Sequence, residues 1–384
     1  MTLARISGLL VLQLLLASVA LAEVDFTDNG IRISGDDDDT FVRFGGRLHL
    51  DAARFDEDVT PLENDIIARR ARLSLAARYN KDWRLVADYD FGELEGFRNL
   101  WVGYTGFKNT RIIFGNQVAP FSLDERTSSN NIMFIERSLA NALSPGQLVG
   151  LSVATRGDSW TLTAGLFGDE INDRQRRKGD GRSIAGRATW TPLRRRKGHL
   201  LHFGTSVEYR DLTNNEVRFR TRPESFVTPE KLINTGTIRN ANDLRNVSLE
   251  LAWRYRRLSA QGEYARTDVS RQGQSAVAFD AGYAAVSYFL TNHQRGYRRR
   301  SGTFGNITRG GKNAWELAAR YSFADLNDRD IDGGREENLT LGLNWYINRN
   351  YRVMLNYIDV RARPNADGVN ESPSIVQMRF QVAY

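Results

Sequence analysis

Between Phe44 and Tyr384 one pattern recurs in segment after segment: apolar side chains at every second position, polar or charged ones between them. The final stretch shows it plainly. Met378, Phe380, Val382 and Tyr384 fall on one face of an extended strand, and Gln377, Arg379 and Gln381 fall on the other. The same two-residue period runs through Ala71-Leu73-Leu75-Ala77, Trp83-Leu85-Ala87-Tyr89-Phe91 and Trp160-Leu162-Ala164-Leu166. It returns in Val247-Leu249-Leu251-Trp253-Tyr255, Trp315-Leu317-Ala319-Tyr321-Phe323 and Leu339-Leu341-Leu343-Trp345. A period of two belongs to strands, so the chain is all-β. Aromatic residues gather at the ends of the stripes, where a membrane-spanning strand meets the two interfaces. Soluble sandwiches alternate too, but their strands are shorter and rarely place charge so consistently on the second face.

The other end of the chain fits export. Arg5 precedes an apolar run from Leu9 to Leu16, followed by the small-residue site Ala20-Leu21-Ala22. That run is too short to span a bilayer, so residues 1–22 are expected to be a cleaved signal peptide. No later segment has 18 uninterrupted apolar residues, which leaves strands as the only means of crossing. The chain has no cysteine, which removes disulfides and thiolate metal sites, and its 33 glycines and eight prolines suit many strands joined by turns. The net charge is +7. Such a balance suits nucleic acid, anionic membranes or small anions, and export makes nucleic acid an unsuitable partner.

Sixteen strands are expected, near 40–54, 66–80, 82–91, 98–107, 110–118, 147–156, 159–168, 182–192, 199–211, 245–255, 257–269, 278–290, 312–323, 337–347, 350–361 and 375–384. Tight turns such as Asn80-Lys81-Asp82, Arg156-Gly157-Asp158 and Asn348-Arg349-Asn350 alternate with longer polar loops. Those loops lie near 55–65, 119–146, 169–181, 212–244, 324–336 and 362–374. Short periplasmic turns, long external loops and an even strand count describe an outer-membrane barrel with both termini in the periplasm. Sixteen strands enclose an aqueous channel. The connection 291–311 breaks the alternation, being long and basic on the short-turn side, and nothing in the sequence accounts for it. The expected organisation is a signal peptide at 1–22, a periplasmic N-terminal leader at 23–39, and a 16-stranded antiparallel transmembrane β-barrel at 40–384. Asp36 to Asp39 lack the spaced ligands of a calcium loop and are read as part of a solvated leader.

Two questions remain for such a wall: what narrows it, and which charge lines it. The loop at 119–146 carries Phe121, Ile132, Met133, Phe134, Ile135, Leu139 and Leu143, which suit a constriction loop folded into the lumen better than an external flap. The loop at 212–244 carries Arg218, Arg220 and Arg222, whose spacing of two sends three guanidinium groups to one side of an extended segment. They form either a solvated basic loop or an electropositive ladder that draws anions to the pore. Arg70 and Arg72 share the face opposite Leu73 and Leu75, and Arg47 shares the polar face of the neighbouring strand. Arg69 has the wrong parity and requires a bulge or a place beyond the lipid band, because a lipid-facing arginine near midplane costs about 2–4 kcal/mol. Asp51, Asp88 and Asp90 are candidate partners for these charges.

The segments Phe44-Gly45-Gly46-Arg47-Leu48, Arg69-Arg70-Ala71, Tyr104-Thr105-Gly106-Phe107, Thr127-Ser128-Ser129, Glu136-Arg137, Tyr209-Arg210-Asp211-Leu212 and Leu341-Gly342-Leu343-Asn344-Trp345-Tyr346 resemble the phosphate-selective porins of the porin O/P family. The resemblance runs in order along nearly the whole chain after the signal peptide. It implies a trimeric 16-stranded barrel with an arginine ladder leading to a central anion site. On that resemblance Arg47, Arg69, Arg70, Ser129 and Arg137 match the central site, and Arg218, Arg220 and Arg222 match the ladder. Two positions depart from the pattern: Arg98 stands where the family's phosphate-selective members have an acid, and Asn130 where they have a lysine. Anion attraction should survive both, while strict phosphate selectivity is placed in question.

The function expected is passive, anion-selective diffusion of phosphate or similar small inorganic anions through an outer-membrane porin seated in lipid as a homotrimer. No cofactor is expected. A less selective channel for organic anions or other small solutes is the alternative, with a barrel enzyme or adhesin from a different class. The chain has four histidines and neither a G-x-S-x-G nor an H-E-x-x-H pattern, and His199 and His202 read as surface residues beside a basic turn.

Overall fold

The computed structural model describes residues 23–35, 39–172, 181–193 and 198–384. The expected signal peptide and Asp36 to Asp38 lie outside the described residues. Among those described, the main sheet has 18 strands, of which two form a leader hairpin and sixteen close a barrel. The barrel strands are Phe41–Asp56, Asp65–Tyr79, Trp83–Asp90, Gly96–Tyr104, Thr110–Val118, Gln147–Arg156, Trp160–Phe167, Arg182–Trp190, His199–Asp211, Ala241–Tyr255, Leu258–Arg271, Val277–Phe289, Ala314–Asp328, Ile331–Tyr346, Tyr351–Ala362 and Ser374–Ala383. Each pairs antiparallel with its sequence neighbour. The last closes on the first in register, from Ser374 opposite Asp56 to Ala383 opposite Arg47. Closure leaves no barrel edge, which a sheet in lipid requires because nothing there can satisfy a free backbone group.

Burial follows the alternation. On the closing strand Met378, Phe380 and Tyr384 are exposed outward, and Arg379 and Gln377 are fully buried inward. Trp83, Trp160, Trp190, Tyr288 and Tyr384 form an outward aromatic belt at the short-turn end, with Trp315 stacked on Trp345 at 5.3 Å. The leader strands Glu23–Thr27 and Gly30–Ser34 form a hairpin whose second strand pairs with Phe41–Phe44, in line with the end of the closing strand. Gly30 has φ +108°, and a Cβ there would sit 1.9 Å from the Phe44 carbonyl oxygen, so only glycine lets the hairpin approach.

Two expectations from the sequence change here. The segment 324–336 is not a loop. The strands Ala314–Asp328 and Ile331–Tyr346 run on to a turn at Arg329-Asp330. They are carried past the lipid by outward charge pairs such as Arg335 with Glu337 at 2.7 Å, which hide the apolar period. His202 is not a surface residue: it faces inward, is fully buried, and contacts Glu250 and the Tyr297 hydroxyl.

Three connections fold into the lumen. The 119–146 loop seats Leu139 and Leu143 against Val269, Phe279, Ala281, Ala324 and Leu326, and Met133 and Phe134 against Tyr283, Ala285 and Ala318. The 212–240 loop adds Phe219, Ile233 and Ile238 to the first of these clusters. From the opposite end, the connection that the sequence left unexplained forms a small hairpin, Gly296–Arg298 with Thr303–Gly305. It packs Phe304 beside Leu123, Leu200 and Ala252. The same 212–240 loop also packs Val227 and Leu232 against Ala53, Phe55, Ile358, Val360 and Ile375, on the first barrel strand and the last two.

Candidate functional site

Alternation alone sends one of Arg69 and Arg70 into lipid. The register between the first two barrel strands shifts at His49/Leu50: His49 pairs with Arg70, and Leu50 with Ala68. Arg69 is the extra residue of a β-bulge, and the extra residue lets both arginines turn inward, where they are 3% and 4% exposed.

Facing them from the infolded loop is Glu136. Its carboxylate accepts hydrogen bonds from Arg69 at 2.9 and 3.2 Å, from Arg70 at 3.4 Å, and from Arg379 at 2.6 Å. Arg379 also forks onto Asp51, with both bonds at 2.6 Å. Burial alone would push the Glu136 carboxyl up, but Arg69, Arg70 and Arg379 hold it well below the ordinary carboxylate range. Arg72 takes Asp90 at 2.8 Å. Asp88 accepts from Asn99 and not from an arginine. Thus two of the three aspartates suggested by the sequence pair with lumen arginines.

Arg47 differs. Its Nη1 donates to Ser129 Oγ at 3.0 Å, its Nε is buried with no hydrogen-bond partner, and among the described residues no carboxylate lies within ion-pair distance. A half-buried cation with a buried, unused donor is an electrostatic invitation to an anion. Arg137 is committed elsewhere: it donates to the backbone carbonyls of Asp124, Glu125 and Thr127 at 2.9–3.0 Å and pairs with Glu125 at 3.2 Å. That grip ties the short helix Leu123–Arg126, capped by Ser122, to the rest of the loop.

These groups meet around a cavity of about 520 Å³. Nine arginines and Lys231 line it against four carboxylates, Asp90, Glu125, Glu136 and Glu224. Arg47, Arg69, Arg70, Ser129, Arg137, Arg220 and Arg222 all lie on its wall. Arg218 does not: its Nε donates to Asn234 at 2.8 Å in the outer loop. The sequence reading therefore gathers seven of its eight residues around one space. It missed Arg126 and Lys231, although both are basic residues in loops singled out for folding inward or carrying charge. Arg126 donates to the carbonyls of Val118 and Ala119, and burial, with Arg187 and Arg111 nearby, lowers it to about 9, so it remains cationic at neutral pH.

A second cavity of about 340 Å³ lies toward the short-turn end, and Arg47 and Ser128 line both. The Arg47–Ser129 hydrogen bond, joining wall to loop, stands at the neck between them. Of the two departures from the family pattern, Arg98 pairs with Glu170 at 3.3 Å, and Asn130 meets His49 Nε2 at 3.0 Å. No cluster of histidine and carboxylate groups suited to a metal ion occurs among the described residues.

A closed 16-stranded antiparallel barrel, apolar outside, with loops folded into a polar lumen, is an outer-membrane porin. The chain belongs to the family phosphate-selective porin O and P, whose model matches residues 42–384. It is 27% identical to Porin O of Pseudomonas aeruginosa, over 87% of this chain and 86% of that one. Among solved structures, the anion-selective porin from Comamonas acidovorans shares the fold with TM-score 0.57 at 12% identity, over 90% of this chain and all of that one. The trimer form of OmpT, an outer membrane protein of Vibrio cholerae, does so with TM-score 0.57 at 14% identity and the same coverage. The protein is a bacterial outer-membrane porin.

Proposed function

We propose that this porin conducts small anions passively and selectively, with phosphate or a related oxyanion as the preferred passenger and the arginine-lined cavity as its path. The observation that carries this reading is the imbalance of that cavity: ten cationic side chains against four carboxylates, with Arg47 unpaired at the neck. In a narrow passage with low-dielectric walls such an excess concentrates anions and repels cations. Guanidinium forks match the oxygens of phosphate, which favours an oxyanion over a halide. Arg220, Arg222 and Lys231 extend the positive lining into the 212–240 loop, as an approach from outside. Diffusion of this kind needs no cofactor and no covalent step, so the protein acts as a channel and not as an enzyme. By likeness to the trimeric OmpT form, three copies assemble side by side in outer-membrane lipid.

The test is a planar bilayer holding the purified protein under a potassium chloride gradient. The reversal potential should favour chloride, and added inorganic phosphate should reduce the chloride current in a saturable way. A potassium preference would sink the reading.

A second reading has one observation behind it. Asn130, where a lysine is usual, spends its side-chain oxygen on His49 and adds no charge, so the neck is less cationic than the family pattern implies. A broader anion channel, open to small organic carboxylates, follows from that. Comparable block by phosphate and by a small dicarboxylate would favour it.

A further inference from the structure

The cavity's arginines are not all free to meet an anion, and what occupies them is a carboxylate of the protein itself. Glu136 takes two bonds from Arg69, two from Arg70 and one from Arg379. Its side chain lines the same cavity as the unpaired Arg47. Three cations, Arg69, Arg70 and Arg379, are thus shared between two anions, Glu136 and Asp51, leaving a single excess charge beside Arg47.

This carboxylate is not what seats the loop. The wall and the inward 291–311 connection grip the loop backbone at its carbonyls: Arg295 of that connection at Asn131 (2.9 Å), and from the wall Arg352 at Ile132 (2.9 Å), Asn344 at Met133 (2.9 Å) and Arg320 at Glu136 itself (3.0 Å). Glu263 holds the amides of Leu123 and Asp124 at 2.8 and 2.7 Å. With position fixed by the backbone, the Glu136 side chain is left as an electrostatic element.

We propose that Glu136 is a specificity-determining residue: a resident counter-anion that competes with the passing anion for the forks of Arg69 and Arg70 and so limits how tightly the channel holds its passenger. Conduction requires a site that attracts an ion and also lets it go. Three to four closely set guanidinium groups without an internal anion would bind a multivalent oxyanion tightly and turn a path into a trap. Glu136 presents a carboxylate of the same shape and charge class as the ligand, so a passing anion displaces part of its bonding and is displaced in turn. The inference rests on the anion-channel reading above.

The experiment uses the full-length porin in planar bilayers, with chloride current titrated by inorganic phosphate. Glu136→Gln removes one negative charge from the cluster and should lower the half-blocking phosphate concentration about tenfold. Glu136→Asp keeps the charge but withdraws it from the arginines, and should strengthen block by less. The sign separates this role from a structural one, because a loosened loop widens the passage and weakens block. Block in both variants at wild-type phosphate concentrations, or at higher ones, overturns the inference while a chloride-favouring wild type leaves the channel reading standing. If the wild type itself prefers potassium, the channel reading fails and the inference with it.

Discussion

Arginine at a lumen wall does different work according to what already holds it. Arg47 keeps free donors beside a single neutral partner, so its removal should act on the passenger: Arg47→Ala should raise the half-blocking phosphate concentration about tenfold and leave the barrel intact, since a charged hydrogen bond contributes roughly 1.5–3 kcal/mol. Arg137 spends its donors on three loop carbonyls and Glu125. Arg137→Ala should therefore weaken block and also make single-channel currents noisier, as the turn it clamps loosens. Quiet currents with weakened block would show that Arg137 meets the anion directly. Glu136 also sets a pH window. Its folded-state carboxyl lies well below the ordinary 4.5, so its ion pairs stabilise the folded chain above that ordinary value and are lost only as pH falls through the depressed one. Glu136 should then contribute no change in phosphate-free chloride conductance between pH 7 and pH 5, and a step in that interval that is present in the wild type and absent in Glu136→Gln would contradict its assignment as a fixed charge.

At the scale of elements, the inward hairpin Gly296–Arg298 and Thr303–Gly305 has the clearest consequence. Arg187 donates to the carbonyls of Ser301 and Gly302 at 2.9 and 2.8 Å, Tyr297 meets His202 at 2.6 Å, and Gly302 has a positive φ where a Cβ would strike Thr189 at 2.7 Å. So fastened, it is held inside the short-turn end, where Arg298 lines the second cavity. Replacing 296–305 by a short glycine-serine turn should raise single-channel chloride conductance about twofold, as a wider opening does. Unchanged conductance would mean the hairpin stands clear of the path. None of this was legible in the sequence beyond the length and basic character of 291–311. The existence of all sixteen strands was legible, because lipid on one side and water on the other impose a period of two along the stretch that crosses the membrane. It was lost where that solvent contrast ends, as at Asp325 to Arg335, where outward charges beyond the lipid made strand look like loop. The bulge at Arg69 could be posed from parity but not placed, since a register shift depends on the partner strand. The Glu136 cluster joins residues as far apart as Asp51, Arg69 and Arg379, and no local spacing encodes such a meeting.

For the whole molecule, two kinds of selectivity should separate with salt. The charge excess of the lumen acts at a distance, and that field is screened: the Debye length falls from about 10 Å at 0.1 M salt to about 3 Å at 1 M. Contacts at the neck act within hydrogen-bonding reach and are buried, so screening affects them less. If the field of the cavity sets the general preference for anions, the chloride-to-potassium permeability ratio should be several-fold higher at 0.1 M than at 1 M potassium chloride. If Arg47 and its neighbours form a contact site, saturable phosphate block should persist at 1 M, weakened by competition from chloride but present. The two observations are independent. A permeability ratio indifferent to salt would remove the long-range field and leave the neck as the whole filter. Loss of block at 1 M with a salt-sensitive ratio would do the reverse, making the barrel a diffuse anion funnel in which the guanidinium forks of Arg47, Arg69 and Arg70 hold no passenger.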